Sequence, residues 1–330
     1  MSELFTTDSP QPDPAAALTW LSHEAVMAVS GQDSAKFLQG QLTCDVVRVP
    51  VPGSVMGARC NPKGRMQSSF RLLRHGESEY LLAMASDLLD PQIADLAKYA
   101  AFFKAQITAS DQWLRLGLWG PEAAKAVTQA GLAVPEERDA VTMSDAGAVV
   151  RLPGSHAYEL WLPVATAEDT VGKLLGAATA VPLNDWHLLQ IRSGIGQVVG
   201  ATRESFIPQM LNLQAFDGVS FKKGCYTGQE IVARMKYLGK LKKRMFRLVS
   251  DTQEVLAPGT AVVYRETGQA VGEVVISATA GDGTEILAVL QKDAAQLVSL
   301  SANNGQGPLL SVTDLPYESE VADTDVGPGN

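Results

Sequence analysis

The sequence predicts an α+β protein with a ferredoxin-like module in its middle and a small antiparallel β-barrel toward its C-terminal end. Two patterns carry that expectation. Between residues 113 and 183, strand-like and helix-like runs follow the order β-α-β-β-α-β, the ferredoxin-like rhythm. Beyond residue 243, short strand-like runs recur with no helix among them, separated by Pro258-Gly259, Thr267-Gly268 and the Gly281 to Gly283 turn. A length of 330 residues suffices for two or three domains at the usual ~100–200 residues each. The expected division is an arm over 1–17, a main region over 18–241 with the module at about 111–183, the barrel over 242–315 and a tail over 316–330.

Residues 18–42 read as a strand followed by a short helix. Residues 25–29 are a short apolar run, and Gly31, Gln32, Asp33 and Ser34 form a turn and helix start before Ala35, Phe37 and Leu38. Residues 55–73 read as a hairpin turned at Asn61, Pro62, Lys63 and Gly64. Asp90 and Pro91 open a helix to about Phe103, with Ile93, Leu96, Ala97 and Ala100 on one face. In the module, 113–119 is a strand and Pro121 sits in the first turn of a helix ending at Gly131. Strands at 148–152 and 158–162, a helix at 166–175 and a closing strand at 180–183 complete it. Asn184 caps a further helix to about Arg192. The expected barrel strands are 245–249, 261–264, 271–277 and 285–290.

A hydrophobic content of 46% against 19% charged is an ordinary globular balance. No apolar run approaches the ~20 residues of a spanning helix. The longest candidate, 80–96, is cut by Asp87, Asp90 and Pro91. The arm is polar and Pro-rich, unlike a secretory signal, and both it and the acidic tail read as disordered. Cys44, Cys60 and Cys225 are odd in number and widely spaced, so neither a disulfide framework nor a metal site is expected. Reduced thiols point to a cytoplasmic protein. His23, His75, His156 and His187 lack any triad or metal pattern, and no phosphate loop or dinucleotide fingerprint is present.

The net charge is −9, yet residues 219–247 hold nine Lys or Arg residues and one acid, Glu230, a local charge of +8. Exposed like charges repel, so the cluster suggests an anionic partner; a solvated basic face is the alternative. A second basic stretch, Arg59, Lys63, Arg65, Arg71 and Arg74, lies in a window from 46 to 76 without an acid. It reads either as a rim of the same cleft or as a charged hairpin edge. Within the first cluster, Gly224, Cys225, Tyr226, Thr227, Gly228, Gln229 and Glu230 precede the apolar Ile231, Val232 and Met235. The glycines permit positive φ and close approach of a ligand. Thr227 and Glu230 have the spacing of a capping box. A thiol ahead of a helix start, beside Lys222 and Lys223, is one whose ionisation is favoured. Cys225 is thus a candidate functional thiol or, alternatively, a small buried residue. Trp186, on a short helix, either stacks on a planar heterocycle or fills core.

These residues resemble the YgfZ family of folate-binding, tRNA-modification proteins, relatives of the glycine-cleavage T-protein, an aminomethyltransferase. The match is strongest at Phe206, Ile207, Pro208 and Gln209, at 212–215, at 221–230 with its Lys223-Gly-Cys-Tyr-Thr-Gly-Gln-Glu230 run, and at Val232, Ala233 and Arg234. Weaker blocks are 31–46, 62–66 and 268–274. The resemblance implies a T-protein-like three-domain arrangement around a central channel that holds tetrahydrofolate, in a monomer. It implies a link to iron–sulfur cluster assembly or repair and, through cluster enzymes, to tRNA modification. It implies Cys225 as the functional thiol, with Trp186, Lys223, Tyr226, Gln229 and Arg234 as folate contacts. Glu24 stands where the family has an aromatic. The T-protein's Asp pair falls near Gln67, Ser68 and Ser69, whose amide and hydroxyls do not titrate near neutral pH.

Ordinary aminomethyl transfer is therefore not expected. Three readings follow. The first is a tetrahydrofolate-binding accessory factor in iron–sulfur maturation, with maturation proteins or cluster enzymes as partners. The second is a folate-dependent one-carbon transferase with a displaced acid, Asp45 or Glu204. The third is a module that docks its basic segment on tRNA.

Overall fold

The computed structural model of the protein describes residues 14–154, 156–237, 239, 241–296 and 299–317. The expected arm and tail fall mostly outside these residues, as does Lys240 of the basic segment. The chain forms two compact units, each discontinuous in sequence. One comprises residues up to 38 with 46–55 and 70–186; the other comprises 39–45, 56–69 and 187 onward.

The first unit opens with β1 (Ala17–Trp20), β2 (Glu24–Ser30) and α1 (Ser34–Gln41), whose last residues pass into the second unit. β3 (Gly53–Cys60) and β4 (Met66–Gly76) are the arms of the expected hairpin, with Gly64 at φ +70 in its turn. β5 (Glu79–Ala85), α2 (Leu89–Ala100) and β6 (Gln106–Ser110) follow, giving a sheet of order β3-β4-β5-β2-β6. β5 is buried on both faces, so it shows a continuous apolar run and no alternation to mark it as a strand. On α2 the buried residues are Gln92, Leu96 and Ala100, whereas Ala97 of the expected face is exposed.

β7 (Trp113–Trp119), α3 (Ala123–Gln129), β8 (Val141–Ser144), β9 (Gly147–Arg151), β10 (Ala157–Pro163), α4 (Ala167–Ala177) and β11 (Thr179–Ala180) build the module. Its sheet order is β11-β1-β7-β10-β9-β8. This corrects the bare β-α-β-β-α-β reading in two places. β1 lies between the last module strand and the first, parallel to β11 and antiparallel to β7. β8, a short half-exposed strand, adds an edge beside β9. Val127 of α3 and Leu174 of α4 join Leu18, Leu116 and Leu160 of the sheet in one apolar core. α5 (Leu183–Arg192) begins here, with Asn184 inside the helix and not at its cap.

Arg71 and Arg115 are buried in this unit among carboxylates. Arg115 pairs with both Glu24 and Glu159, its guanidinium 4.3 Å from the Trp161 ring centroid. Arg71 pairs with Asp139 at 2.6 Å and with Glu159 at 3.5 Å. The acid-free window therefore does not leave Arg71 as a free basic edge, because its counter-charges come from distant strands and loops. Glu24, the departure from the family's aromatic, is a member of this network.

The second unit contains α6 (Gln229–Tyr237) and the strands β12 (Lys243–Ser250), β13 (Ala261–Tyr264), β14 (Gln269–Ala280), β15 (Gly283–Gln291), β16 (Leu300–Ala302) and β17 (Leu309–Thr313). They close into an antiparallel barrel of order β12-β15-β14-β13-β16-β17. Leu248, Val262, Val274, Ile286, Ala288, Leu290, Leu300 and Leu310 fill its core. β16 and β17, absent from the sequence expectation, complete the ring by pairing β13 and β12, which removes the sheet's edges. Among the described residues no helix is long and apolar enough to cross a membrane.

Candidate functional site

The Cys225 loop is built in the second unit by three stretches far apart in sequence. Thr43, wholly buried, donates its hydroxyl to the Gly218 carbonyl at 2.6 Å and accepts the Ala58 N–H at 2.9 Å. Its carbonyl accepts the Ser220 N–H at 2.8 Å, and the Ser220 hydroxyl accepts the Lys223 N–H at 3.2 Å. Further along, the Thr227 N–H reaches the Gly40 carbonyl at 3.2 Å. The hairpin turn at 61–64 then meets the helix start. A Cβ on Gly228 would lie 2.6 Å from the Asn61 oxygen, and one on Gly64 would lie 2.9 Å from Ile231 Cβ. Glycine is required at both places by contact as well as by positive φ.

That contact shifts the helix start. The first bond within α6 runs from the Val232 N–H to the Gly228 carbonyl, which makes Gly228 the cap position. Glu230 is then the second helical residue, not the third, so the expected Thr227–Glu230 capping box does not form. Gln209 adds support from outside, its side-chain amide donating to the Val232 carbonyl at 2.6 Å.

Lys223 is a buried cation. Its Nζ donates to the carbonyls of Leu42 at 2.8 Å and Cys44 at 2.7 Å, and lies 5.1 Å from the Tyr226 ring centroid. Burial pushes its pKa down to about 8, with the Asp45 carboxylate acting in the opposite direction. Its donors face the protein's own backbone. Tyr226 is buried beside it, and its hydroxyl has no hydrogen-bond partner among the described residues. Burial pushes the phenol's pKa up. Gln229 is half-buried and Arg234 exposed.

The three thiols have different surroundings. Cys44 and Cys60 are buried, and burial pushes each up to about 12. Cys225 is exposed. A buried packing role, one of the two readings of this residue, does not describe it. Trp186 belongs to the first unit and is packed as a core side chain. Its ring fills the space over Gly117, where a Cβ would lie 2.4 Å away, and its centroid is 5.6 Å from that of Trp119. Five of the six singled-out residues thus lie on one loop and helix of the second unit, and the sixth lies in the other unit.

Gln67, Ser68 and Ser69 are buried. The Ser69 hydroxyl accepts the Val198 N–H at 2.8 Å, and the Gln67 amide donates to Glu204 at 3.2 Å. A cleft of about 720 Å³ in the same unit is lined by Phe206, Met210 and Met235 with the cations Arg65, Lys242 and Lys243. Glu273 also faces it and accepts the Ser205 hydroxyl at 3.0 Å. Sequence reasoning missed Thr43, Ser220 and Glu273, because nothing in their own neighbourhoods marks residues whose partners arrive from elsewhere in the chain.

The family model for the GCVT N-terminal domain matches residues 13–181. A relative from Photobacterium profundum, named tRNA-modifying protein YgfZ, is 35% identical over 311 residues, 92% of each chain. One of the same name from Escherichia coli O157:H7 is 33% identical over 326 residues, 96% of this chain and 99% of its own. Among solved structures, the glycine cleavage system aminomethyltransferase T from Bartonella henselae is similar with a TM-score of 0.74 over 92% of this chain and 86% of its own. At 21% identity that likeness shows the fold alone. Fold, loop and relatives agree: the chain belongs to the YgfZ family, on the aminomethyltransferase T fold.

Proposed function

We propose that the protein is a tetrahydrofolate-binding accessory factor of iron–sulfur cluster assembly or repair in the cytoplasm, acting on tRNA modification through cluster enzymes, with Cys225 as its functional thiol. One observation carries the reading: of three thiols, Cys225 alone is exposed, on a loop held from below by the buried Lys223. A thiol meant only to fill space has no need of such a cradle. The relatives' name supports the link to tRNA modification, and the GCVT match supports folate. A reduced folate needs an apolar wall for its ring, an acceptor for the ring's N–H groups and cations for its glutamate tail. Phe206 and Met235, Glu273, and Arg65 with Lys242 and Lys243 have that chemistry in the cleft.

The test is complementation of a strain lacking this activity, scored by a cluster-dependent tRNA-modifying enzyme, run beside calorimetric titration with reduced folates. The Cys225→Ser chain is expected to fold and to lose complementation, and Glu273→Gln to weaken folate binding. Full complementation by Cys225→Ser would return the residue to a passive role. Absence of folate binding at millimolar ligand would remove the cofactor from the reading.

A second reading, one-carbon transfer, is favoured by the Gln67–Glu204 hydrogen bond, which sets a carboxylate beside the hairpin where the T-protein carries its own. Turnover of a methylamine donor with tetrahydrofolate, abolished in Glu204→Gln, would establish it; a chain that turns over no such donor would end it.

A further inference from the structure

The surface that flanks Cys225 along the chain carries positive charge with no carboxylate to meet it among the described residues. Lys222, Arg234 and Lys236 are exposed, and none has a carboxylate partner among the described residues. The exposed lysines of α2, α3 and α4 are paired on their own helices: Lys98 with Asp95 at 3.3 Å, Lys125 with Glu122 at 2.9 Å and Lys173 with Asp169 at 2.6 Å. The difference is not helix propensity, since α6 has room for carboxylates at the same spacing and carries one acid, Glu230.

The same surface exposes an aromatic ring. Tyr237 is 60% exposed at the end of α6. Its ring meets Phe221 edge-on, with centroids 6.3 Å apart, and Lys236 Nζ lies 3.9 Å from the Phe221 centroid. These contacts bring the stretch before the Cys225 loop onto the end of α6, so that Phe221, Lys222, Lys236 and Tyr237 form one patch. Arg234 stands one turn before Tyr237 on the same helix stripe. Lys236 Nζ also lies 5.5 Å from the Tyr237 centroid, so the ring stays largely exposed with an ammonium at one side. An exposed ring among cations that lack carboxylates is the arrangement by which single-stranded nucleic acid is held: a base stacks on the ring and phosphates contact the cations. An acidic protein would be drawn by the charge but would leave the ring without a stacking partner. A membrane surface would need a broad apolar face, and α6 exposes one aromatic beside charges.

We propose that this patch docks a single-stranded nucleic acid segment, with Tyr237 stacking a base and Lys222, Arg234 and Lys236 contacting its phosphates, beside the exposed Cys225. The choice of RNA as the first probe rests on the functional reading above; the docking itself does not. Binding of the full chain to a labelled RNA stem-loop, the same stem without a loop, and single-stranded DNA of the loop sequence is measured by fluorescence anisotropy across salt concentrations. The loop is bound, the stem poorly, and the affinity falls with salt at a log–log slope near −2, about −0.7 for each of three phosphate contacts. Preference for RNA over DNA assigns the source of the strand, and equal binding leaves the docking general. Replacing the three cations together (K222Q/R234Q/K236Q) flattens that slope. Tyr237→Ala weakens loop binding roughly 5- to 150-fold with the slope retained, and Tyr237→Phe restores it.

Unfolding curves unchanged in these variants show that the patch, not the fold, was altered. No binding at low salt overturns the proposal, as does a slope unchanged in the triple variant. Stem binding equal to loop binding, or displacement of RNA by polyglutamate at equal charge concentration, reduces the patch to a charge-only surface and overturns it too. Folate titration of K222Q/K236Q and of Tyr237→Ala, which leave Arg234 in place, separates the outcomes: retained folate binding with weakened RNA binding supports the patch, and lost folate binding with retained RNA binding overturns it.

Discussion

Both units bury a cation away from water, and they house it differently. In the first, Arg115 lies between Glu24 and Glu159, and Arg71 between Glu159 and Asp139. In the second, Lys223 has two backbone carbonyls and the face of Tyr226. Carboxylates offset the desolvation of a guanidinium with full opposite charge. Two carbonyl dipoles offset that of an ammonium only in part, and its pKa falls to about 8. The outer surface repeats the contrast, with lysines of α2, α3 and α4 paired and the exposed cations of α6 unpaired. The buried charge of the first unit and the lysines of α2, α3 and α4 close on carboxylates, and among the described residues the cations of α6 do not.

Removing one partner from each buried site tests that contrast. Arg115→Met removes the guanidinium from Glu24 and leaves Glu159 with Arg71 alone in a dry interior, and the expected loss is about 3–5 kcal/mol in denaturant unfolding. A loss under ~1 kcal/mol would mean that water reaches the site and that it is no stricter than a surface pair. Lys223→Met leaves two carbonyl acceptors unmet and is expected to cost less, about 1–3 kcal/mol. Its pH dependence is more specific. The ammonium's pKa is about 8 in the folded chain against 10.5 ordinarily. Between those values the unfolded chain binds the extra proton, so the wild type gains stability relative to the variant as pH rises from 8 to 10.5. Below that window the difference is flat. Cys44, Asp45 and Tyr226, which face the amine, are present in both chains, so subtraction isolates Lys223. A difference that stays flat through the window would show the desolvation of the amine to be fully offset by its carbonyl partners.

What the sequence made legible divides along the same line. The barrel was readable because its long strands are separated by turn dipeptides, yet its closing strands β16 and β17 were not, being three and five residues long amid Ser, Asn and Gly. The β-α-β-β-α-β rhythm was readable, but no local pattern announces that β1 inserts beside β11. At the site, Cys225 and its glycines stood out because their spacing is local. The local sum of charge is legible in the sequence, and the partner of each cation is not. Arg71 counted as basic edge until Asp139 and Glu159 met it, and Lys223 counted as a ligand cation until its amine turned to Leu42 and Cys44. A side chain's partner is set by packing between distant stretches, which periodicity does not encode.

The loop itself is sharpened by three small changes. Gly228→Ala forces a Cβ into the Asn61 carbonyl at φ +85, with an expected cost of about 1–3 kcal/mol. Gly224→Ala meets nothing within 4 Å and is expected to stay within ~0.5 kcal/mol. Equal penalties at the two glycines would mean that the hairpin turn and α6 are not interlocked as described. Cys225→Ser, at an exposed position, is expected to move stability least of all, within ~0.5 kcal/mol. Its effect lies in reactivity. A thiol reagent should modify one cysteine in the native chain and three after denaturation, because Cys44 and Cys60 are buried with pKa values near 12. In Cys225→Ser the native count falls to none. A native count above one in the wild type would show that the loop's floor opens on the reagent's timescale, and the distinction between one working thiol and two structural ones would then be kinetic instead of architectural.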